Sequence, residues 1–209
     1  MTDHVTFGEA QLTIEQVVAL SQRSARAQLQ GDAAYREKIA KGARFLDTLL
    51  DKEGVIYGVT TGYGDSCVVA VPLHQVEALP KHLFTFHGCG LGKLLDEAST
   101  RAVLAARLQS LCHGVSGVRV ELLERLQAFL EHDVLPLIPE EGSVGASGDL
   151  TPLSYVAAVL CGAAVSFAGL VGFVGLLVPH AARFLVGGEH KYLLAASLFL
   201  GAALVIVGS

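Results

Sequence analysis

The chain has 209 residues and a formal charge of −5 at neutral pH, enough sequence for one large or two small domains. Its charges are unevenly distributed: 32 of the 35 charged residues lie in the first 149 positions and three in the last 60. The first part carries 13 basic against 19 acidic residues, and this acidic excess excludes nucleic acid as an expected partner.

The first predicted element is a helix that begins after a capping box. Thr13 and Gln16 have the required spacing before an apolar run, and the Ala- and Gln-rich residues 20–30 are expected to continue the helix. A second helix is predicted over residues 33–52, whose apolar positions fall on one helical face, with Gly54 just past its end.

A loop and two more helices are predicted next. Residues 55–66 are rich in Gly and Tyr and too irregular for a helix, whereas residues 97–112 and 120–135 have helical apolar spacing. Thr151 is expected to cap a further helix, so that the segment before it lies at a helix start. We therefore expect a mainly α fold.

The cysteines and the N-terminus indicate a reducing compartment. No CxxC pair occurs, so the thiols are expected to be free and to hold no metal; they are Cys67, Cys89, Cys112 and Cys161. The first residues lack a basic region followed by an apolar stretch, and residues 1–149 are expected to stay in the cytoplasm.

The uncharged C-terminal part resembles membrane-spanning sequence. No charged residue occurs from Leu150 to Pro179, and Tyr192–Gly208 is a second apolar run. Two spans forming a hairpin are predicted, with membrane contact through residues 155–209. The alternative is a buried hairpin in a helical core.

A glycine-rich loop contains Gly142, Gly145 and Gly148. Asp149 stands where a Walker loop needs Lys, and no predicted strand leads into the loop as a dinucleotide site requires. A nucleophile elbow is also excluded, because Ser147 is followed directly by Gly148. With these three kinds of site excluded, the loop's own residues leave a flexible turn as the remaining interpretation.

Gly142–Pro152 reads Gly-Ser-Val-Gly-Ala-Ser-Gly-Asp-Leu-Thr-Pro and resembles the signature of the histidine and phenylalanine ammonia-lyase family. The resemblance implies that Ala146, Ser147 and Gly148 cyclise to a 4-methylideneimidazol-5-one group, without a metal or dissociable cofactor. That group is the electrophile for non-oxidative elimination of ammonia from histidine or a related aromatic amino acid. It also implies a homo-oligomer.

Two further segments resemble the same family. Residues 56–64 match its tyrosine loop, which implies that Tyr57 is the general base; the alternative is a tyrosine bonded to backbone. Residues 83–92 match its selectivity region, which implies that Phe86 and His87 contact the substrate side chain. Histidine, phenylalanine and tyrosine remain possible substrates, and a structural role remains the alternative for His87.

The lyase resemblance covers residues 5–162, whereas residues 163–209 resemble the transmembrane subunit of iron-siderophore and cobalamin ABC importers. We therefore predict a lyase-like region at 1–162 and a permease-like region at 163–209, both truncated. The second resemblance implies an ATPase-docking surface at 179–194.

The expected localisation is the membrane, with a cytoplasmic N-terminal region; the alternative is fully cytoplasmic. Because the lyase family's further substrate-binding residues have no counterpart, we expect the chain to be inactive. A permease component and a non-functional chimera are the alternative functions.

Overall fold

The computed structural model describes residues 3–8, 10–76, 78–145 and 148–167. Their elements are β1 Asp3–Phe7, α1 Ile14–Ser21, β2 Ala25–Leu29, α2 Ala33–Glu53, a 3-10 helix Gly64–Val68, α3 Leu73–Val76, α4 Leu79–His87, β3 Leu91–Leu94, α5 Glu97–Cys112, α6 Val120–Glu131, β4 Pro139–Glu141 and α7 Leu150–Phe167. The chain divides into compact units Met1–Ala158 and Val159–Ser209.

A strand replaces part of the first predicted helix. The Thr13 capping box is confirmed, but α1 ends at Ser21, and Arg23 then takes a left-handed conformation with φ 61°. Residues 25–29 form β2, which pairs in parallel with β1. Alternate β2 residues Ala25 and Ala27 are buried, the period of two that a half-buried strand requires.

The core is formed where α5 and α6 pack together and against α1 and the two parallel strands. Its fully buried large side chains include Phe7, Leu20, Leu104, Leu108, Leu123 and Leu126. The prediction of α5 is confirmed, whereas α6 ends at Glu131, four residues before the predicted end. Asp133 there has a φ of 53°, a left-handed conformation that ends the helix.

Arg101 on α5 forms hydrogen bonds that link this helix to α1 and α6. Its guanidinium donates to the carbonyls of Leu20 and Leu130, at 2.9 and 2.7 Å, and to the carboxylate of Asp133. Only 4% of Arg101 is exposed, so these partners replace the water that the charge loses on folding. Arg23 also bonds to Asp133 and is the main cause of that carboxyl's lowered pKa.

The remaining predicted boundaries follow local signals. Helix α2 is confirmed with Gly54 as its left-handed C-cap. Of the predicted loop 55–66, residues 55–63 lie outside the regular helices and strands, whereas its last three residues belong to the 3-10 helix Gly64–Val68. Helix α7 begins at Leu150, so Thr151 lies in its first turn and is not the expected N-cap. The carbonyl of Asp149 accepts a hydrogen bond from Leu153 N.

The predicted membrane localisation is wrong. Among the described residues, no helix is long and apolar enough to cross a bilayer. The predicted second span, Tyr192–Gly208, and the predicted docking surface, 179–194, lie outside the described residues.

Candidate active site

The expected base, Tyr57, lies in a loop stabilised by two phenols. Its oxygen accepts a hydrogen bond from Gly64 N at 3.0 Å, while the Tyr63 hydroxyl donates to the Gly58 carbonyl at 3.0 Å. The two rings meet edge to face, with centroids 5.8 Å apart. Tyr57 is 64% exposed, so its ring is accessible from outside this part of the chain.

Glycine and threonine shape this loop. Gly58 has a φ of 71°, and a Cβ there would lie 2.6 Å from the Tyr63 ring, so a side chain would displace that ring. The buried hydroxyls of Thr60 and Thr61 accept hydrogen bonds from Ile56 N and Gly58 N. Sequence reasoning assigned these threonines no role, although local Thr-to-backbone bonds are a known signal for such turns.

The predicted electrophile-forming segment lies between β4 and α7. Ala146 and Ser147 are outside the described residues, but the segment's last residue, Gly148, is exposed. The closest atom to a Cβ at Gly148 would be Ser143 Cβ, at 3.8 Å. This open surrounding fits the cyclisation proposed for the segment, because backbone ring closure needs a nitrogen unhindered by neighbouring atoms.

A close backbone contact holds the start of this loop. Gly142 has a φ of 151°, and a Cβ there would lie 2.6 Å from Thr151 Cγ2 and 3.1 Å from Gly90 Cα. Gly90 N in turn donates to the Tyr155 hydroxyl at 3.0 Å. These contacts therefore link the loop to two neighbours, the glycine segment after α4 and the first turns of α7.

A cavity of about 330 Å³ lies beside the loop; we call it the His87 cavity. Its lining combines apolar side chains with five polar ones. The residues are Tyr63, Pro80, Leu83, Phe84, His87, Arg107, Asp149, Leu150, Leu153, Ser154 and Ala157.

The His87 cavity brings together some of the predicted site residues and not others. His87 lines it, as does Asp149, which directly follows Gly148. Tyr57 does not line it, and Phe86 is 77% exposed outside it. Helical spacing explains this, because Phe84 and His87 are three residues apart and share a face of α4, whereas Phe86 is about 100° away from His87. The roles of Tyr57, Phe86 and His87 stay predictions.

Tyr63 and Arg107 are cavity residues that the sequence reasoning missed. Burial raises the pKa of the Tyr63 phenol, and the nearby Tyr57 adds to this, so Tyr63 is suited to donate a hydrogen bond at neutral pH. Its position could have indicated Tyr63, since it lies in the same tyrosine loop, six residues after Tyr57. Arg107 belongs to no motif, and only its position on α5 brings it to the cavity.

A strand does lead into the glycine loop, contrary to the sequence expectation. It is β4, three residues long, and it pairs antiparallel with β3. A dinucleotide site needs a strand of a parallel sheet before its glycine loop. Because β4 pairs antiparallel, the dinucleotide interpretation is still excluded.

Two family models match the chain. The aromatic amino acid lyase model matches residues 12–179, which includes all of the uncharged run that had indicated a membrane span. The FecCD transport family model matches residues 151–209, of which the structure describes 151–167.

Individual proteins give the same picture. The chain is 39% identical to histidine ammonia-lyase of Symbiobacterium thermophilum over 73% of its own length and 30% of that protein. For the Anaeromyxobacter dehalogenans enzyme the values are 42%, 75% and 30%. The tyrosine aminomutase structure from Streptomyces globisporus superposes with a TM-score of 0.67 at 35% identity, covering 75% of this chain and 29% of that one. The chain thus spans about 30% of the length of the curated relatives it matches.

Proposed function

The chain belongs to the aromatic amino acid lyase family, and on that premise we propose that it supplies the electrophile and the base for eliminating ammonia from histidine or a related aromatic amino acid. Ala146, Ser147 and Gly148 would form the 4-methylideneimidazol-5-one group that this family uses. That group supplies an electrophile that no ordinary side chain offers. The main support for this proposal is that Asp149, which directly follows this segment, lines the same cavity as His87.

Tyr57 is proposed to remove the β-proton. To take up that proton Tyr57 would act as the phenolate, whose oxygen accepts the Gly64 N–H and keeps further lone pairs for the proton from the substrate. Tyr63 keeps the ring in place through its edge contact and its bond to Gly58. Such positioning matters because general base catalysis requires the base to lie within hydrogen-bonding reach of the proton.

His87 is proposed to contact the substrate's aromatic side chain. The surrounding apolar residues of the His87 cavity exclude water from that side chain, and an imidazole offers both a donor and an acceptor to a polar ring. The names of the curated relatives support histidine as the first substrate to test. Phe86 is retained as a proposed contact from outside the cavity.

Intact mass of the purified chain tests the proposal. Loss of two water molecules, located by fragmentation to residues 146–148, is the expected result. An unmodified mass would contradict it. Assays for urocanate from histidine and for cinnamate from phenylalanine then test turnover and substrate choice separately from electrophile formation.

We further propose that the chain joins a lyase-derived part, 1–162, to a FecCD-like part, 163–209. The overlapping family matches over 151–179 support this. Sequencing of the source DNA across codons 155–170 tests it, because an uninterrupted natural reading frame would argue against an artificial fusion. The permease alternative receives no further support, since no described helix is able to cross a membrane.

Homo-oligomerisation is also proposed. Large apolar side chains close to the candidate site are exposed on the described surface, and such groups are commonly covered on assembly; they are Phe86, Leu91, Leu94 and Val144. Sedimentation equilibrium of the whole chain tests this, and a monomer at all concentrations would oppose it.

A further inference from the structure

We propose that a polar cavity lined by three arginines binds a phosphate group. Its volume is about 460 Å³, and it shares no lining residue with the His87 cavity, so the inference does not depend on the proposed lyase function. We call it the Arg26 cavity. Its lining residues are Arg23, Ala25, Arg26, Ala27, Arg101, Leu130, Glu131, His132 and Asp133.

Two arginines of the Arg26 cavity use only part of their guanidinium groups in bonds to described residues. Arg101 bonds through Nε and Nη1, and Arg23 bonds through Nε and Nη2. The remaining nitrogens, Arg101 Nη2 and Arg23 Nη1, take part in none of these bonds. Because Arg101 is buried, a ligand would reach its Nη2 through the cavity. Guanidinium nitrogens only donate, so the ligand that satisfies them must supply acceptors.

Arg26 adds a third guanidinium group. It lies on β2 between the buried Ala25 and Ala27 and is itself exposed, and its side chain forms no ion pair with a described residue. What distinguishes Arg26 from other such arginines is its position in one cavity with two further guanidinium groups. Three separate groups suit phosphate, whose oxygens accept from several directions, whereas a single guanidinium already matches a planar carboxylate.

The backbone fixes Arg23 and Asp133 at the wall of this cavity. Among the described residues, they are the two non-glycine residues with a positive φ, 61° and 53°. They bond to each other although they are 110 residues apart in sequence. Left-handed conformations of non-glycine residues are strained and occur preferentially at ligand-binding and catalytic sites. The bond between them therefore joins two sides of the cavity before any ligand enters.

Two features oppose an anion in the Arg26 cavity. The C-terminal ends of α1 and α6 carry partial negative charge, and Glu131 is a lining residue. The helix ends are offset, because Arg101 donates to the carbonyls of Leu20 and Leu130 within them. Glu131 is not offset by an ion pair to a described residue, so binding depends on Arg26. Removing the charge of Arg26 or of Glu131 should therefore change the phosphate affinity in opposite directions.

Cavity size separates two sources of the phosphate group, the free ion and a small phosphate ester. The volume of about 460 Å³ lies within the roughly 300–1,000 Å³ typical of small-molecule sites, which favours the ester. Glycerol 3-phosphate is therefore expected to bind more tightly than inorganic phosphate. Equal affinities would identify the free ion as the ligand of the same site.

Calorimetry with the whole chain at constant ionic strength tests the inference. Inorganic phosphate and glycerol 3-phosphate should bind saturably in the millimolar range or more tightly, whereas acetate should not. Arg26→Gln should weaken both phosphate probes about tenfold, as expected for the loss of a charged hydrogen bond. Arg26→Lys should weaken them less, because it keeps the charge, and Glu131→Gln should strengthen them.

The matched control is Arg119→Gln, which removes an exposed charge outside the cavity and should leave all affinities unchanged. Circular dichroism confirms that each variant is folded. On the unmodified chain, phosphate should shift the backbone amide NMR signals of residues 23–27 and 130–133. Absence of saturable phosphate binding up to about 10 mM, equal losses in Arg26→Gln and Arg119→Gln, or shifts confined to other residues would overturn the inference.

Discussion

Tyr57 and Tyr63 hold each other reciprocally: the hydroxyl of each bonds to the backbone of the residue beside the other. Tyr57 accepts from Gly64 N, and Tyr63 donates to the Gly58 carbonyl, while their rings meet at 84°. Each phenol therefore fixes the end of the loop from which the other projects. Tyr57, the proposed base, is thus held in position while it stays 64% exposed.

This reciprocity predicts different effects of removing either hydroxyl. Tyr57→Phe removes the acceptor of Gly64 N, so exchange of the Gly64 amide should accelerate by up to about tenfold, corresponding to a hydrogen bond of about 1 kcal/mol. Tyr63→Phe should leave that amide closer to its original rate, because it removes only the bond to the Gly58 carbonyl. Amide exchange by NMR measures both, and unchanged Gly64 exchange in Tyr57→Phe would contradict the prediction.

Arg101→Met should destabilise the chain by about 3–5 kcal/mol, since it leaves two buried carbonyls without their charged donor and removes one of the two arginines that bond to Asp133. Urea unfolding followed by circular dichroism measures this. The matched control is Arg36→Met: Arg36 and its partner Glu124 are both about half exposed, so the cost should be below about 1 kcal/mol. Similar losses in both variants would show that the buried bonds of Arg101 contribute little.

The lowered pKa of Asp133, caused first by its hydrogen bond to Arg23, predicts acid sensitivity. The folded-state value lies below the ordinary 3.8, so the stabilisation is fully present above that pH and is lost as the pH falls through the folded-state value. Asp133→Asn should lower stability near neutral pH and flatten its decline in acid. Urea midpoints between about pH 6 and pH 2 measure the slope, and Asp47→Asn is the control expected to retain the original slope.

Gly142→Ala should prevent electrophile formation. Its methyl group would lie 2.6 Å from Thr151 Cγ2, at a φ of 151°, and should displace the loop from the start of α7. Intact mass should then show no loss of water. Gly31→Ala, where no atom lies within 4 Å of the added Cβ, should cyclise as the unmodified chain does.

The double variant Gly142→Ala with Thr151→Ser makes the cause specific. It removes the Cγ2 atom that makes the closest contact, so cyclisation should return in part. Full cyclisation of Gly142→Ala alone would show that the contact does not govern the loop.

Local signals were sufficient for some elements and insufficient for others. Asp96 and Glu97 begin α5, and Gly54 ends α2, so both follow from side chains close in sequence. Strand β2 does not, because Ala25 and Ala27 become strand residues only through pairing with β1, more than 20 residues earlier. Propensity alone favoured continuing α1.

In the candidate site, too, some residues could be predicted from local sequence and others only from the fold. The motif resemblance indicated His87, but only the rotation of α4 reveals that Phe84, and not Phe86, shares its cavity. The uncharged run after Asp149 led to the wrong localisation, because an apolar stretch is equally compatible with a membrane span and with a buried helix. The lyase family match through residue 179 argues against the membrane prediction, and among the described residues no helix is long and apolar enough to cross a bilayer.

Because Tyr155 on α7 accepts a hydrogen bond from Gly90 N, the rotation of α7 about its own axis affects the position of the glycine segment in the candidate site. One residue of helical slippage turns the phenol by about 100° and would release the glycine segment that follows His87. Thr151, Ser154 and Val156 are buried in the same first two turns, so the phase of the helix is set before Ala158. An evolutionary exchange of sequence beyond that point would therefore leave the geometry around Gly142 and Gly90 as it is.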